Sequence, residues 1–235
     1  MLTGTSTTDT RDAPGWYGKL SSLGDFAQRR LPPAWISACD AWLSRAMQGS
    51  QAQLGAHWLD VYLTAPVLRF AWAPGVVDAQ WWFGVLMPSC DNVGRYFPLV
   101  VAHPRTRPPV DRIALDHLEL WYDDVAQAAM QTLGESASVD VFEEALRQSP
   151  PWPTPGPGAA LNPQGSPHLQ RYPLAPAASL AQWLHTLAAA DLQARLAGCT
   201  LWWRRGEDGS SSESVCVLRG LPEAAGFVEL LGGRA

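Results

Sequence analysis

The chain has 235 residues, 47% of them hydrophobic and only 17% charged, which is material for one large packed domain and excludes wholesale disorder. With 17 basic residues against 22 acidic ones the formal charge is −5, too little positive charge to build a nucleic-acid face. No apolar run reaches the roughly 18 residues of a membrane span, and no basic flank with an apolar stretch opens the chain, so a cytoplasmic protein without direct membrane insertion is expected.

In chain order, residues 1–13 read as a disordered leader, and the remainder, 14–235, as a single domain. Gly15-Trp16-Tyr17-Gly18-Lys19-Leu20 reads as a short strand or extended segment, followed by a turn at 21–25. Asp25 is placed to cap a short helix, which would bring Arg29 within ion-pair reach. Trp35, Ile36, Cys39, Trp42, Leu43, Ala46 and Met47 recur at spacings of three and four, predicting a helix from Ala34 to about Gly49. A second helical stretch carries Leu54, Trp58, Leu59, Tyr62 and Leu63 and stops at Pro66. Three apolar runs, 67–72, 81–87 and 97–102, are too continuous for a half-exposed sheet and suit strands covered on both faces.

Residues 111–133 predict a helix with Ile113, Leu115, Leu118, Trp121, Val125 and Met130 inward, and a shorter helix covers 139–148. The stretch from about 150 to 176 is rich in Pro and reads as a loop without regular elements. A helix over 180–196, a strand over 200–204, a polar turn over 206–214, a strand over 215–218 and a final helix over 222–231 complete the chain. The fold class that follows is α/β: a central mixed, largely antiparallel sheet with helices on both faces, a three-layer α/β/α sandwich. Trp81-Trp82 and Trp202-Trp203 would then send adjacent indoles into opposite layers.

Chemistry-bearing patterns are few. Gly15 to Leu20 is not a phosphate loop, because only two residues separate its glycines and no Ser or Thr follows Lys19. The five His are scattered and the four Cys have no paired short spacing, so neither a metal site nor a disulfide framework is expected, and no cofactor is implied. The loop Met87 to Leu99 gathers Ser89, Cys90, Asp91, Asn92 and Arg95 between two apolar strands. Ser89 lacks the Gly-x-Ser-x-Gly elbow. Cys90 with His103 as base, or Ser89 or Cys90 with Asp91, would make a hydrolase; an Asp91–Arg95 pair fixing a tight turn is the plainer reading.

The ordered series Gly18-Lys19-Leu20, Gly24-Asp25-Phe26, Arg29, Leu31-Pro32, Trp42-Leu43, Trp58, Tyr62-Leu63-Thr64-Ala65-Pro66, Arg69-Phe70, and Gly84 to Ser89 with Asp91 and Val93 to Leu99 resembles the TagF family of type VI secretion accessory proteins. A later echo is Leu201-Trp202-Trp203, Gly220-Leu221-Pro222 and Phe227; the resemblance is firm over 14–103 and looser beyond. It departs from the family pattern at Ser21-Ser22, where Pro is usual, and at Cys90 and Asn92, where Val and Arg commonly flank the Asp. The resemblance implies a non-enzymatic, post-translational repressor of the secretion apparatus in the form without a fused phosphatase. Its implied partner is the forkhead-associated scaffold protein, with a functional link to the system's Ser/Thr kinase and phosphatase. Partner-binding or loop-organising residues would be Lys19, Asp25, Arg29, Ser89, Asp91 and Arg95. A structural accessory subunit of the apparatus is the other non-enzymatic reading.

Overall fold

The structure, a computed structural model, describes residues 13–150, 152, 161–162, 164–166, 168–174, 179–205 and 214–233. The leader expected over 1–13 and the polar turn expected over 206–214 lie almost wholly outside the described residues. The strands are β1 (Gly15–Gly18), β2 (Ala27–Arg29), β3 (Leu68–Trp72), β4 (Trp81–Met87), β5 (Leu99–Arg105), β8 (Cys199–Trp203) and β9 (Cys216–Arg219), in one sheet of order β2-β1-β5-β4-β3-β8-β9. A separate two-stranded hairpin joins β6 (Gln164–Ser166) and β7 (Leu169–Arg171). Every pairing in the large sheet is antiparallel, with β4 held on both sides, Leu86 opposite Leu68 and Val100.

The helices are α1 (Pro33–Leu54), α2 (Trp58–Thr64), α3 (Arg112–Gln131), α4 (Val139–Gln148), α5 (Leu180–Leu196) and α6 (Ala224–Leu230). All seven residues of β4 are buried, as a strand covered on both faces demands. Trp72, Trp82 and Trp202 point into one layer, where α1 contributes Trp35 and Trp42 and α6 contributes Phe227. Trp81 and Phe83 point into the other, against Trp121 and Tyr122 of α3 and Phe142 of α4; Trp203 packs there too. The adjacent indoles therefore do divide between the layers. The Trp42 indole N–H donates to Pro222 O at 2.8 Å, fixing the chain where it enters α6 against α1.

Four expectations need correction. First, α1 does not end at Gly49. A Cβ there would lie 2.4 Å from Ala224 Cβ, so Gly49 is a contact point for α6, not a stop signal. The helix runs on to Leu54 and breaks at Gly55, whose φ of 52° is readily adopted only by glycine. A 3₁₀ turn over 55–57 then leads into α2, in place of one continuous second helix.

Second, the inward face of α3 is rotated from the one its bulky residues predict. Ile113, Leu115 and Met130 are exposed, whereas Ala114, Tyr122, Ala126, Ala128 and Ala129 join Leu118, Trp121 and Val125 inside. Small alanines let the helix lie close to the sheet, and the periodicity of large side chains alone does not register them. Third, the Pro-rich stretch contains the β6–β7 hairpin, although much of it lies outside the described residues. Fourth, residues 27–29 form edge strand β2 and not a helix. Asp25 accepts a hydrogen bond from Phe26 N at 2.8 Å and makes no pair with Arg29.

Candidate functional site

Two loops meet where β1, β4 and β5 converge: 19–26, which leads into β2, and 88–98, between β4 and β5. Their junction is Asp91, 2% exposed. Lys19 Nζ donates to Asp91 Oδ2 at 2.8 Å and Arg95 Nε donates to the same oxygen at 2.7 Å. The backbone N–H groups of Val93 and Arg95 donate to Oδ1 at 3.1 and 2.9 Å. Asp91 N donates to Arg95 O at 3.1 Å and Gly94 N to Asp91 O at 3.0 Å, closing the turn. Burial by itself would raise the Asp91 pKa. The hydrogen bonds from Lys19, from the Arg95 backbone and side chain, and from Val93 outweigh it and hold the carboxyl well below the usual carboxylate range.

Arg95 also carries the node outward, donating to Gly24 O, while Asn92 N donates to Leu23 O at 2.9 Å. The Lys19 ammonium lies over the face of Phe26, with Nζ 5.0 Å from the ring centre. Phe26 stacks on Tyr17 at 5.8 Å and meets Phe97 edge-on at 4.8 Å. Tyr17 in turn donates its hydroxyl to Asp40 on α1. Both loops are thus knitted to each other and to the helix layer.

Ser89 is 4% exposed, and its Oγ donates to Lys19 O at 2.8 Å. Its backbone is latched by Tyr62 of α2: the phenol donates to Ser89 O at 2.9 Å and accepts from Ser89 N at 2.9 Å. Burial raises the Tyr62 pKa, so the phenol keeps its proton and both roles. Cys90 bridges to Tyr96 through the backbone. His103 lies at the far end of β5, opposite Phe83, so the Cys90–His103 pairing that catalysis would require is not assembled. Among the described residues Ser89 has no hydrogen bond to Asp91, and no group of side chains is suited to hold a metal ion.

Of the six residues singled out from sequence, Lys19, Ser89, Asp91 and Arg95 form this one node. Asp25 and Arg29 lie beside it on the surface and do not join it. Arg29 donates to Gln28 O at 3.0 Å, with its guanidinium 6.0 Å from the Trp16 ring. Sequence reasoning gave no role to Tyr62, which is 27 residues from the serine it holds, nor to the clasp beneath Trp16. There Glu143 of α4 accepts from the Trp16 indole at 2.5 Å and from both terminal nitrogens of the Arg30 guanidinium. Arg30 also holds Pro14 O at 2.8 Å and has a φ of 58°, which ends β2 abruptly. The motif series holds Tyr62 and Ser89 but not Trp16, Arg30 or Glu143, and no local pattern pairs any of them.

Apolar and cationic side chains stand out on the loops beside the exposed Asp25 and Asn92. Phe26, Val93 and Tyr96 are exposed, with Val93 at 69%, and the Arg95 side chain is 57% exposed. Tyr96 leans on Trp58 and Tyr62, with Leu59 and Leu63 of α2 exposed alongside. Buried polar groups holding exposed aromatic and arginine side chains are an arrangement suited to binding a protein surface.

Comparison with known proteins agrees with this layout. The family model described as the TagF N-terminal domain, type VI secretion system-associated, matches residues 15–149, which span β1 to α4 and include both loops. The crystal structure of PA0076 from Pseudomonas aeruginosa PAO1 superposes with a TM-score of 0.70 at 39% sequence identity, over 93% of this chain and 94% of that one. No curated protein matches. No described helix is long and apolar enough to cross a membrane. By its sequence, and by the fold that carries its two knitted loops, this chain belongs to the TagF family of type VI secretion-associated proteins.

Proposed function

We propose that this protein is a cytoplasmic, post-translational repressor of the bacterial type VI secretion system that acts by binding the system's forkhead-associated scaffold protein, beside its Ser/Thr kinase and phosphatase, and performs no chemistry of its own. The observation that carries the reading is the Asp91 node. The polar side chains of Lys19, Ser89 and Asp91 are turned inward to organise the loops, and Phe26, Val93, Tyr96 and Arg95 are on display. Aromatic and arginine side chains on a rigid support lose little conformational freedom on binding and anchor interfaces strongly.

The test is a calorimetric titration of the purified protein against the scaffold protein, with Phe26→Ala and Tyr96→Ala variants. Binding of the wild type with at least about tenfold weakening in either variant, at unchanged melting temperature, supports the proposal. No binding in the roughly tens-of-micromolar range, with both proteins folded, refutes it. In cells, deleting the gene raises effector secretion if the protein is a repressor. Loss of secretion on deletion would instead indicate a structural subunit.

A further inference from the structure

Arg95 is tied down by two of its guanidinium nitrogens and offers the third. Nε donates to Asp91 Oδ2 at 2.7 Å and Nη2 donates to Gly24 O, while Nη1 has no partner among the described residues and the side chain is 57% exposed. Two anchors on a planar group fix its orientation before any partner arrives. Lys19 decides what charge the group then shows. Its ammonium lies 2.8 Å from the same Asp91 oxygen, and both of these side chains are buried. One carboxylate therefore faces two cations. The node keeps a surplus positive charge, and Arg95 is the member that carries it to the surface. Asp91 orients Arg95 without cancelling it.

The surroundings keep the same sign. Arg29, on β2 three residues after Phe26, is exposed and among the described residues donates only to Gln28 O. Arg30 adds nothing, because Glu143 neutralises it at 2.5 Å. Against these stands one exposed acid, Asp25, whose Oδ1 accepts from Phe26 N at 2.8 Å. Residues 19–30 and 88–98 hold four cations and two acids in a chain whose formal charge is −5. This face is thus opposite in sign to the molecule as a whole, and it draws in acidic partners that the rest of the surface repels. The apolar groups of the same loops are fixed as well: Tyr96 meets Trp58 and Tyr62 edge-on, and Phe26 meets Phe97.

We infer that this face takes an acidic segment of its protein partner, with a carboxylate on Arg95 Nη1 and apolar side chains against Phe26, Val93 and Tyr96. The inference rests on the binding role proposed above and adds the chemistry of what is bound. A charge-assisted hydrogen bond to a guanidinium that is already oriented costs little conformational freedom. A phosphate dianion fits less well. Phosphate sites converge several guanidinium or backbone N–H groups on one anion, and here a single oriented guanidinium is bound to the carbonyl of Gly24, the residue before Asp25.

The experiment measures affinity and association rate of the purified protein with the scaffold protein at roughly 50 and 500 mM salt. Kd is expected to be at least about fivefold weaker at the higher salt. Arg29→Gln, which removes a charge outside the node, should weaken binding about two- to fivefold, mainly through slower association. Arg95→Lys keeps the charge but cannot hold two anchors and present a third nitrogen, so at least about tenfold weakening is expected. Treating the scaffold with a phosphatase beforehand should change nothing. Salt-independent binding, or wild-type affinity in either variant, overturns the inference and leaves the binding role standing. Loss of binding after the phosphatase assigns the anion to a phosphate and overturns the carboxylate. No binding at either salt concentration refutes the binding role and this inference with it. If Arg95→Lys does not fold, the salt series and Arg29→Gln decide.

Discussion

Gly84, midway along β4, sits where the sheet leaves no room for a side chain. A Cβ built there would lie 2.0 Å from Val101 O of β5 and 2.5 Å from Cζ of Phe70 on β3. Carbon and carbonyl oxygen come no closer than about 3.3 Å in ordinary contacts, so the methyl group lacks more than about 1 Å of room. Neither obstacle yields easily. Val101 O belongs to a strand paired on both sides, and Phe70 is fully buried, stacked on Trp72 at 4.6 Å. Overpacking of this kind costs about 1–3 kcal/mol or somewhat more. Gly→Ala recovers about 0.4–1 kcal/mol by restricting the unfolded chain. Gly84→Ala is therefore expected to destabilise by about 2 kcal/mol, lowering Tm by roughly 4–8 °C for a domain of this size. Urea denaturation should show a lower midpoint with an unchanged slope. Gly94→Ala is the comparison: its φ is 80°, but nothing lies within 4 Å of the added carbon, so its cost is limited to about 1 kcal/mol of backbone strain. A Gly84→Ala melting temperature at or above wild type would refute the packing argument.

Other substitutions test separate parts of the structure. The Asp91 carboxyl is held below its unfolded value, so its contribution to stability is complete above about pH 4 and is lost as pH falls through the depressed folded value. Asp91→Asn should accordingly show a constant deficit in Tm from pH 7 to 5 that narrows below about pH 4; a deficit independent of pH would show that ionisation is not what matters. On α3, Ile113→Lys should change stability by no more than about 0.5 kcal/mol, while Trp121→Ala should cost about 3–5 kcal/mol, and the reverse order in denaturation midpoints would overturn the face assigned to the helix. Cys39 is fully buried and its thiol pKa is pushed up by that burial, whereas Cys216 is exposed. Thiol titration in native buffer should therefore modify Cys216 readily and leave Cys39 untouched until denaturant is added.

The central strands were legible because their sequences are uniformly apolar, and a sheet covered on both faces is the arrangement that accepts such runs. α4 and α5 were legible in extent, and the structure adds the hydrogen-bonded caps at Ser138 and Ser179 that mark their starts. Gly49 misled because glycine serves both to end helices and to admit a neighbour, and only the position of Ala224, far along the chain, distinguishes the two. Likewise, the Asp91–Arg95 turn could be read from a spacing of four. The ion pair to Lys19, 72 residues away, follows from strand order, which no local pattern encodes. The face of α3 was missed because it packs with alanines that carry little hydropathic signal.

The chain contains a single lysine, and its ammonium group is enclosed by Asp91 and the Phe26 ring. Reagents that couple to primary amines therefore find this lysine shielded in the folded domain. Amine-directed dyes or activated surfaces thus leave the Asp91 node and its two loops unmodified at lysine.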